Sequence, residues 1–411
     1  MSESDKIIVD RKGRRKMKRS KFIKNVAVGI MAGTALPISC STEDNNKIIA
    51  ASNLRTPLCD ILKIKYPILQ AGMADVAGPD LVAAVSNAGG LGILSGTMVP
   101  PNILRARIAK IKDLTNKPFG VNLILHKDLF PPADFNMSDN EVQKVQDTLN
   151  VFRKELGIPE SNAKPPKLPP LIQQAYEIII EEKIPVFSIG LGNPSKEMVE
   201  KCHSNGIKVM AMIATLEDAL IVYENGVDII VAQGSEAGGH RSTWEKKSSK
   251  EFAAIGTLPL TVAVAQAVNV PVVSAGGIVN GKGLKAALAL GAQGVLMGTR
   301  FIVTKESMAP ESYKMKIISS SSDETTITDV FTGMYARVIR NNFTKQYSET
   351  KTPVLPPGRQ YAATVDIVKA AGVQENAQLY TLYAGQGIDE INNIKSSAEV
   401  IQEIISETLY A

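Results

Sequence analysis

Eight short apolar segments alternate with helical patterns between Tyr66 and Gly298, and this alternation constrains the fold more than any other feature. The segments are YPILQ, GLGIL, FGVNLIL, IPVFSIG, IKVMAMI, VDIIVAQG, VPVVSAGG and AQGVLMG. Strands that are apolar on both faces are typical of a parallel sheet covered by helices. Eight of them in βα order predict an α/β fold of the TIM (β/α)8 barrel type, with an open doubly wound sheet as the second choice.

Two longer stretches interrupt or follow this rhythm within a predicted domain of residues 51–411. Between the third and fourth strands lie a charged helical pattern, EVQKVQDTLNVFRKELG, and a proline-rich loop, AKPPKLPP. They predict a lid-like insertion at about residues 127–183, on the face where barrels carry specificity loops. The last stretch, at about residues 303–411, has too few strand patterns for a second sheet domain. It predicts a C-terminal helical extension that wraps the barrel.

The N-terminus has the pattern of an export signal. A basic segment, RRKMKRSKFIK, precedes an apolar run, VAVGIMAGTALPIS, which is too short to span a bilayer and ends at Cys40. LPISC resembles a bacterial lipoprotein box, and KRSKFIK resembles a twin-arginine motif in which Ser20 replaces one arginine. Residues 1–50 are therefore predicted to be a leader and linker of an exported, periplasmic or lipid-anchored protein, attached to the membrane through acylated Cys40. A disordered tail of a cytoplasmic protein is the alternative, and Met17 competes with Met1 as the start.

The charge distribution excludes one class of partner. The chain has a formal net charge of +5, but ten Lys/Arg and three Asp/Glu fall within residues 1–24. The rest of the chain is therefore slightly acidic and offers no electrostatic footprint for nucleic acid. Outside the leader, Cys59 and Cys202 are far apart in sequence, which indicates neither a disulfide scaffold nor a metal cluster.

Two glycine-rich strand ends predict a phosphate site. Gly276 and Gly277 end the seventh strand, and Gly298 and Thr299 end the eighth. Glycine permits close approach of a phosphate, and barrels commonly bind phosphate after these two strands. A Rossmann or P-loop site is not indicated, because neither GxGxxG nor GxxxxGK[ST] occurs in the right context.

Polar or soft side chains follow three other strands. Met73 follows the first strand, Asn122 ends the third and Gln233 ends the sixth. The carboxyl ends of barrel strands meet at one face, so these side chains are expected to share a site. An amide there can hydrogen-bond the edge of a heterocycle.

One of the three histidines stands out as a candidate catalytic residue. His240 follows EAGG, just beyond the sixth strand, in a predicted loop. A neutral imidazole can accept a proton from carbon or donate a hydrogen bond to an anionic substrate. His126, after the third strand, is a weaker candidate, and His203 lies in a helical pattern typical of a surface residue. No His/Cys/Asp cluster has the spacing of metal ligands, so no metal site is predicted.

Together these segments resemble the nitronate monooxygenase family, formerly called 2-nitropropane dioxygenases. The matching stretches are YPILQAGMADVAGPDLVAAVSNAGGLGIL, KPFGVNLIL, VAQGSEAGGHRSTW, PVVSAGGIVNGKGLKAALALGAQGVLMGTRF, TTITDVFTGMYARVIRN and LYAGQG, from about Leu54 to the C-terminus. The resemblance implies an FMN-containing barrel that oxidises alkyl nitronates, such as propionate 3-nitronate, with O2 to a carbonyl compound and nitrite. His240 matches the catalytic histidine of the family. The residues that match its flavin-contacting segments are Met73, Asn122, Gln233, Gly238, Gly276, Gly277, Met297, Gly298 and Thr299.

Two alternatives stay open at this point. The flavin-dependent enoyl-[acyl-carrier-protein] reductases share the EAGGH histidine and the phosphate motifs, and GNPSK after the fourth strand is similar to theirs. The long insertion and the YAGQG stretch favour the monooxygenases. However, SIGLG places Gly190 where nitronate monooxygenases often have a histidine, which leaves the substrate open. The other alternative is a lipoprotein that keeps the barrel as a binding module, against which the retained His240 argues.

Overall fold

The computed structural model describes residues 54–127, 129–130, 137–242 and 254–410. The predicted leader, including Cys40, lies outside the described residues. Within those ranges, no helix combines the length and the apolar character that crossing a membrane requires.

Eight parallel strands form the central sheet, in the order β1-β9-β8-β6-β5-β4-β3-β2. The strands of the described residues are, in chain order, β1 Ile68–Gln70, β2 Gly92–Ser95, β3 Phe119–Ile124, β4 Val186–Leu191, β5 Lys208–Ile213, β6 Ile229–Gln233, β7 Gly239–His240, β8 Val272–Ala275, β9 Gly294–Met297, β10 Thr325–Thr328 and β11 Ala336–Ile339. The sheet closes between β1 and β2, because the Gln70 N–H donates to the Leu91 carbonyl at 2.9 Å and the Leu91 N–H to the Ile68 carbonyl at 3.0 Å. The Gln70 side chain seals this seam by accepting the Ile93 N–H at 3.1 Å. The predicted TIM barrel is thus confirmed, and the open doubly wound sheet was wrong.

Fourteen α-helices are present in the described residues, and several begin at an N-cap residue that the sequence provides. In chain order they are α1 Pro57–Leu62, α2 Pro79–Asn87, α3 Pro101–Leu114, α4 Asp139–Glu155, α5 Leu171–Glu181, α6 Lys196–Ser204, α7 Leu216–Glu224, α8 Thr257–Ala267, α9 Gly281–Ala289, α10 Thr299–Ile302, α11 Glu311–Ser319, α12 Asn342–Glu349, α13 Arg359–Val373 and α14 Ser397–Tyr410. Ser195, Thr215 and Asn280 each accept a backbone N–H of the first turn of α6, α7 and α9. Such caps satisfy N–H groups that a helix leaves unpaired at its start.

The inside of the barrel is apolar and is closed at the amino-terminal end of its strands. Strand residues such as Val186, Met210 and Val273 pack there with Leu58 of α1. Gly294 makes room for this helix, because a Cβ at that position would lie 2.5 Å from the Leu58 side chain. The carboxyl ends of the strands are therefore left to build the site.

The insertion and the C-terminal extension share a second apolar cluster. Phe152 of α4 stacks on Phe343 of α12 with ring centroids 4.4 Å apart. Beside it, buried Arg153 donates to Asp366 at 2.8 Å and to the Ala363 carbonyl at 2.7 Å, both on α13. These contacts join two stretches that are far apart in sequence.

The extension is mainly helical, as predicted, but it also contributes two strands that the sequence pattern did not indicate. Strands β10 and β11 pair antiparallel. Strand β11 also pairs antiparallel with β7, so that His240 lies opposite Ala336 and Gly239 opposite Arg337. This corrects the predicted loop at His240, which lies on a strand fixed by the extension. Two- and four-residue strands carry too little periodicity to be recognised without their partners.

Candidate active site

A cavity of about 410 Å³ opens at the carboxyl ends of the barrel strands. His240 lines it, together with eight of the nine residues predicted from the resemblance to contact a flavin. Those eight are Met73, Asn122, Gln233, Gly238, Gly276, Gly277, Gly298 and Thr299. The barrel therefore gathers residues from five strand ends around one cavity.

Met297 is the exception. Its side chain is 1% exposed and packs outside the barrel, in the cluster that contains Phe301 and Ile401. The preceding residue, Leu296, lines the cavity instead. Successive side chains of a strand point to opposite faces, so only one of these two neighbours can face the cavity.

Asn122 lies in a small polar pocket at the ends of β3 and β4. Its side-chain amide donates to the Ser188 hydroxyl at 3.1 Å. A Cβ at Gly190 would lie 3.0 Å from both polar atoms of this amide, and one at Gly72 would lie 2.5 Å from the Asn122 Cβ. Gly190 therefore leaves room for the Asn122 amide.

Gln233 holds the turn that carries the histidine. Its amide donates to the His240 carbonyl at 2.8 Å and accepts the Ser242 N–H at 2.8 Å. A primary amide has two N–H groups, so one is left for a ligand in the cavity. The predicted contact with a heterocycle edge can thus use that N–H and the second lone pair of the amide oxygen.

Arg241 fixes the same turn from its buried side, a role that the sequence did not indicate. Its guanidinium donates to the carbonyls of Gln233, Ala214 and Ile255. Burial lowers the pKa of Arg241 to about 10, so the side chain stays charged at neutral pH. Charged donors form strong hydrogen bonds with carbonyl oxygens, which makes the backbone around His240 rigid.

The His240 ring is held between the extension and the cavity. Its Nε2 lies 2.9 Å from the Thr332 hydroxyl oxygen, and its ring centroid lies 5.3 Å from that of Tyr383. Burial, and to a smaller extent the charge of His126, lowers the pKa of His240 to about 4. His240 is therefore a neutral imidazole at physiological pH. His126 does not line the cavity, and His203 hydrogen-bonds Asp228 at 2.8 Å on the protein surface.

This low pKa gives a direct prediction. Because desolvation disfavours the charged imidazolium, the ring signal of His240 is expected to stay unchanged between about pH 8 and pH 5.5, where an ordinary histidine takes up a proton. Histidine-labelled protein has only three such signals to follow by NMR. The His240→Gln variant assigns the signal, and a midpoint near 6.5 would contradict the prediction.

The glycine-rich strand ends form one corner of the cavity, and the YAGQG stretch closes against it. Gly276 and Gly277 have φ angles of 116° and 68°, in the region that favours glycine. The Gly385 N–H donates to the Thr299 hydroxyl at 3.0 Å, and a Cβ at Gly238 would lie 2.6 Å from the backbone at Ala384. Glycines on both sides thus allow two backbone segments to touch.

At two glycines of this corner a side-chain carbon would fit without a collision. A Cβ built at Gly298 would meet no atom closer than the Met73 sulfur at 3.6 Å, and one at Gly277 nothing closer than Glu236 at 3.4 Å. Both glycines line the cavity, so their missing side chains leave room for a ligand group against the backbone. Such close access to the backbone is one condition for binding a phosphate.

Charged residues at the rim of the cavity were not apparent from the sequence. Arg107 of α3 and Lys369 of α13 both line it. Asp75 lines it too, with its exposed carboxylate 3.8 Å from Arg107, whereas Lys369 forms no hydrogen bond or ion pair with any described residue. Arg107 and Lys369 both lie inside helices with surface patterns, and only the docking of α13 over the barrel brings Lys369 to the rim.

Cysteine and acidic residues build no further site in the described ranges. Cys59 and Cys202 are both buried and free. No group of three His, Cys, Asp or Glu side chains there is arranged to hold a metal ion.

Comparison with known proteins places this site in a family context. The sequence model of the nitronate monooxygenase family matches residues 55–407. A probable nitronate monooxygenase from Staphylococcus saprophyticus is 34% identical over 354 residues, which cover 86% of this chain and 98% of that protein. A probable nitronate monooxygenase from Staphylococcus aureus is 33% identical over 333 residues, which cover 80% and 90%.

Solved structures agree with this relation. A nitroalkane oxidase from Streptomyces ansochromogenes superposes with a TM-score of 0.77 at 31% identity, over 85% of this chain and 97% of that one. FabK from Thermotoga maritima superposes with a TM-score of 0.68 at 32% identity, over 86% and 96%.

Proposed function

This chain belongs to the nitronate monooxygenase family and is a flavin-dependent oxidoreductase with a small-molecule substrate. We propose that its flavin is FMN. We also propose that it oxidises alkyl nitronates with O2 to a carbonyl compound and nitrite. The observation that carries the proposal is the juxtaposition of His240 with the open glycine corner in one cavity. Such a cavity can hold both a phosphate-bearing cofactor and a small anion.

The residues present fit FMN. Its phosphate would lie against the backbone at Gly277 and Gly298, and the Thr299 segment would contact it. The Asn122 amide and the remaining N–H of Gln233 would contact the edge of the ring system, with Met73 against its apolar surface. When bound, FMN supplies the electron transfer, and the protein supplies position and polarity.

His240 would bind the nitronate by donating a hydrogen bond to one of its oxygens. Its low basicity, which follows from burial, makes it a poor acceptor for a proton from carbon. The site therefore favours substrates that already carry the negative charge, that is nitronates, over neutral nitroalkanes. A neutral donor in a desolvated site is still an effective partner for an anion.

The positive charges of Lys369 and Arg107 support a substrate that carries a second negative charge, away from its nitronate group. Lys369 and Arg107 line the cavity, whose lining also includes the apolar side chains of Ile103, Leu129 and Leu168. Propionate 3-nitronate has a nitronate at one end and a carboxylate at the other. We propose that its carboxylate faces these cations while its nitronate faces His240.

Lys369→Met is expected to discriminate between substrates. Losing one charge-assisted contact near the surface raises KM for propionate 3-nitronate by about 5–20-fold and leaves kcat nearly unchanged. KM for a propyl nitronate, which has no carboxylate, is expected to stay within about twofold. Steady-state kinetics with both substrates measures this. Lys345→Met on α12, whose side chain is away from the cavity, is the control. Equal effects on both substrates would contradict the carboxylate contact.

The second candidate is a flavin-dependent enoyl-[acyl-carrier-protein] reductase. It is favoured by the absence of a histidine at the end of β4, where Gly190 leaves room for the Asn122 amide. The long insertion argues for the monooxygenase, because its Leu129 and Leu168 form part of the cavity wall.

Anaerobic mixing of the purified protein with propionate 3-nitronate, and separately with NADH, tests the proposed function. Bleaching of the flavin's visible absorption by the nitronate alone, with nitrite formed once air is admitted, is the expected result. Bleaching by NADH alone would favour the reductase, and protein without flavin would favour a binding module.

Export and acylation of the chain are separate proposals. They predict a mature protein that begins at Cys40 and carries a lipid. The mass of the N-terminal peptide after expression in a bacterium measures this, and a peptide that retains residues 1–39 would contradict it.

A further inference from the structure

We propose that Thr332 is a positioning residue that holds His240 as the tautomer protonated on Nδ1, the form able to donate a hydrogen bond to a nitronate. The inference rests on the function proposed above. Its starting observation is the 2.9 Å contact between the Thr332 hydroxyl oxygen and His240 Nε2. The other ring nitrogen, Nδ1, has no hydrogen-bond partner among the described residues, so it is the one left for a ligand.

The Thr332 hydroxyl is itself held in place. The N–H groups of Thr332 and Gly333 both donate to the Asp329 carbonyl, at 3.2 Å and 2.7 Å, and fix the turn that carries the hydroxyl. The Met334 N–H then donates to the hydroxyl oxygen at 3.3 Å. Thr332 is 7% exposed, so water has little access to compete for these bonds.

The direction of the hydrogen bonds follows from what the substrate needs. Nitronate oxygens are anionic and can only accept, so the ring nitrogen facing them must carry a hydrogen. If Nδ1 carries it, Nε2 of a neutral ring is an acceptor, and the Thr332 hydroxyl must donate to it. The resulting chain runs from the Met334 N–H through the Thr332 O–H and the imidazole to the substrate, with every donor pointing the same way.

The opposite arrangement works against the proposed reaction. The Thr332 hydroxyl could instead donate to the Met334 carbonyl, 3.3 Å away, and accept a hydrogen bond from a protonated Nε2. Nδ1 would then present a lone pair to the anionic nitronate. In a desolvated cavity two facing acceptors are destabilising, so this tautomer would weaken substrate binding.

The rest of the surroundings fix the ring's place but not its tautomer. Strand pairing between His240 and Ala336 holds the backbone, and the Tyr383 ring covers one face of the imidazole. Neither contact distinguishes the two ring nitrogens. Among the described residues, that choice falls to Thr332.

The test compares Thr332→Val, which keeps the shape and loses the hydroxyl, with Thr332→Ser, which keeps the hydroxyl. We expect Thr332→Val to lower kcat/KM for propionate 3-nitronate by about 10–100-fold, the size of effect typical of losing a residue that orients a metal-ligating histidine. Thr332→Ser is expected to stay within about threefold, and both variants should keep their flavin. Thr326→Val, on neighbouring strand β10, is the matched control, since Thr326 does not line the cavity.

Nitrogen chemical shifts of His240 in labelled protein provide a readout that a merely structural role would not move. The wild-type holoprotein is expected to show a protonated Nδ1, and Thr332→Val a mixture of tautomers. A wild-type Nε2–H form would overturn the proposal even if the variant failed to fold. So would a variant with unchanged tautomer and unchanged kcat/KM. A wild-type enzyme that oxidised no nitronate would instead contradict the proposed function, while the shifts would still decide the part played by Thr332.

Discussion

Replacing His240 with alanine is expected to leave the flavin bound and to lower kcat/KM for nitronates by about 10²–10³-fold, as the loss of a hydrogen-bond donor to an anion in an enclosed site typically does. The side chain lines the cavity but hydrogen-bonds only Thr332 among the described residues. The turn that carries it is held by Gln233 and Arg241, through backbone atoms that alanine retains. The fold and the glycine corner should therefore survive the change.

The measurement is steady-state turnover together with the flavin-to-protein absorbance ratio. His203→Ala is the control, because that histidine hydrogen-bonds Asp228 away from the cavity. A His240→Ala variant with full flavin content and unchanged kcat/KM would remove the proposed role. A variant that lost its flavin would show that His240 stabilises the cofactor site rather than the substrate.

Gly276→Ala is expected to yield protein largely without flavin. Gly276 has a φ of 116°, and a Cβ there would lie 2.8 Å from the Thr257 hydroxyl and 3.0 Å from the Ala237 backbone nitrogen. That hydroxyl cannot easily move, since it lies 2.9 Å from the Glu236 carboxylate and 3.0 Å from the Gly276 carbonyl. The strained backbone costs about 1–3 kcal/mol. If the corner shifts to relieve this strain, flavin affinity falls by about 10–100-fold.

Gly206→Ala separates the effect of backbone strain at a positive φ from the effect of a Cβ collision. Gly206 also has a positive φ, 74°, but a Cβ there meets no atom within 4 Å, and the residue lies beyond α6, away from the cavity. This variant carries a backbone penalty without a collision and is expected to keep its flavin. Flavin absorbance after purification and the thermal midpoint of both variants give the comparison. Equal flavin content in the two variants would contradict the role of the Gly276 corner.

Much of the site could be predicted because a barrel converts strand ends into neighbours. Asn122, Gln233 and Gly276 are widely separated in sequence, yet each ends a strand whose apolar pattern was clear. Once eight strands close in order, their carboxyl ends must surround one space. Met297 shows the limit of this reasoning, since a strand end has two faces and only the pleat determines which of Leu296 and Met297 lines the cavity.

Site residues of the C-terminal extension could not be predicted from strand patterns. Thr332 contacts His240 because β11 pairs with β7, and neither short strand has a recognisable period of its own. Lys369 reaches the rim because α13 packs against the insertion through Arg153 and Asp366. Such contacts depend on how separate elements dock, and local propensity and periodicity carry no information about that.

The sequence by itself thus determined the barrel, the helices around it and the end of the barrel at which the site lies, because those follow from local patterns repeated eight times. The tertiary structure alone decided the surroundings of His240. It converted a predicted loop into a strand, buried the imidazole enough to lower its pKa to about 4, and set Thr332 at 2.9 Å from the ring. The physical reason is that burial and hydrogen-bond direction are properties of the packed neighbours, which the chain brings together only on folding.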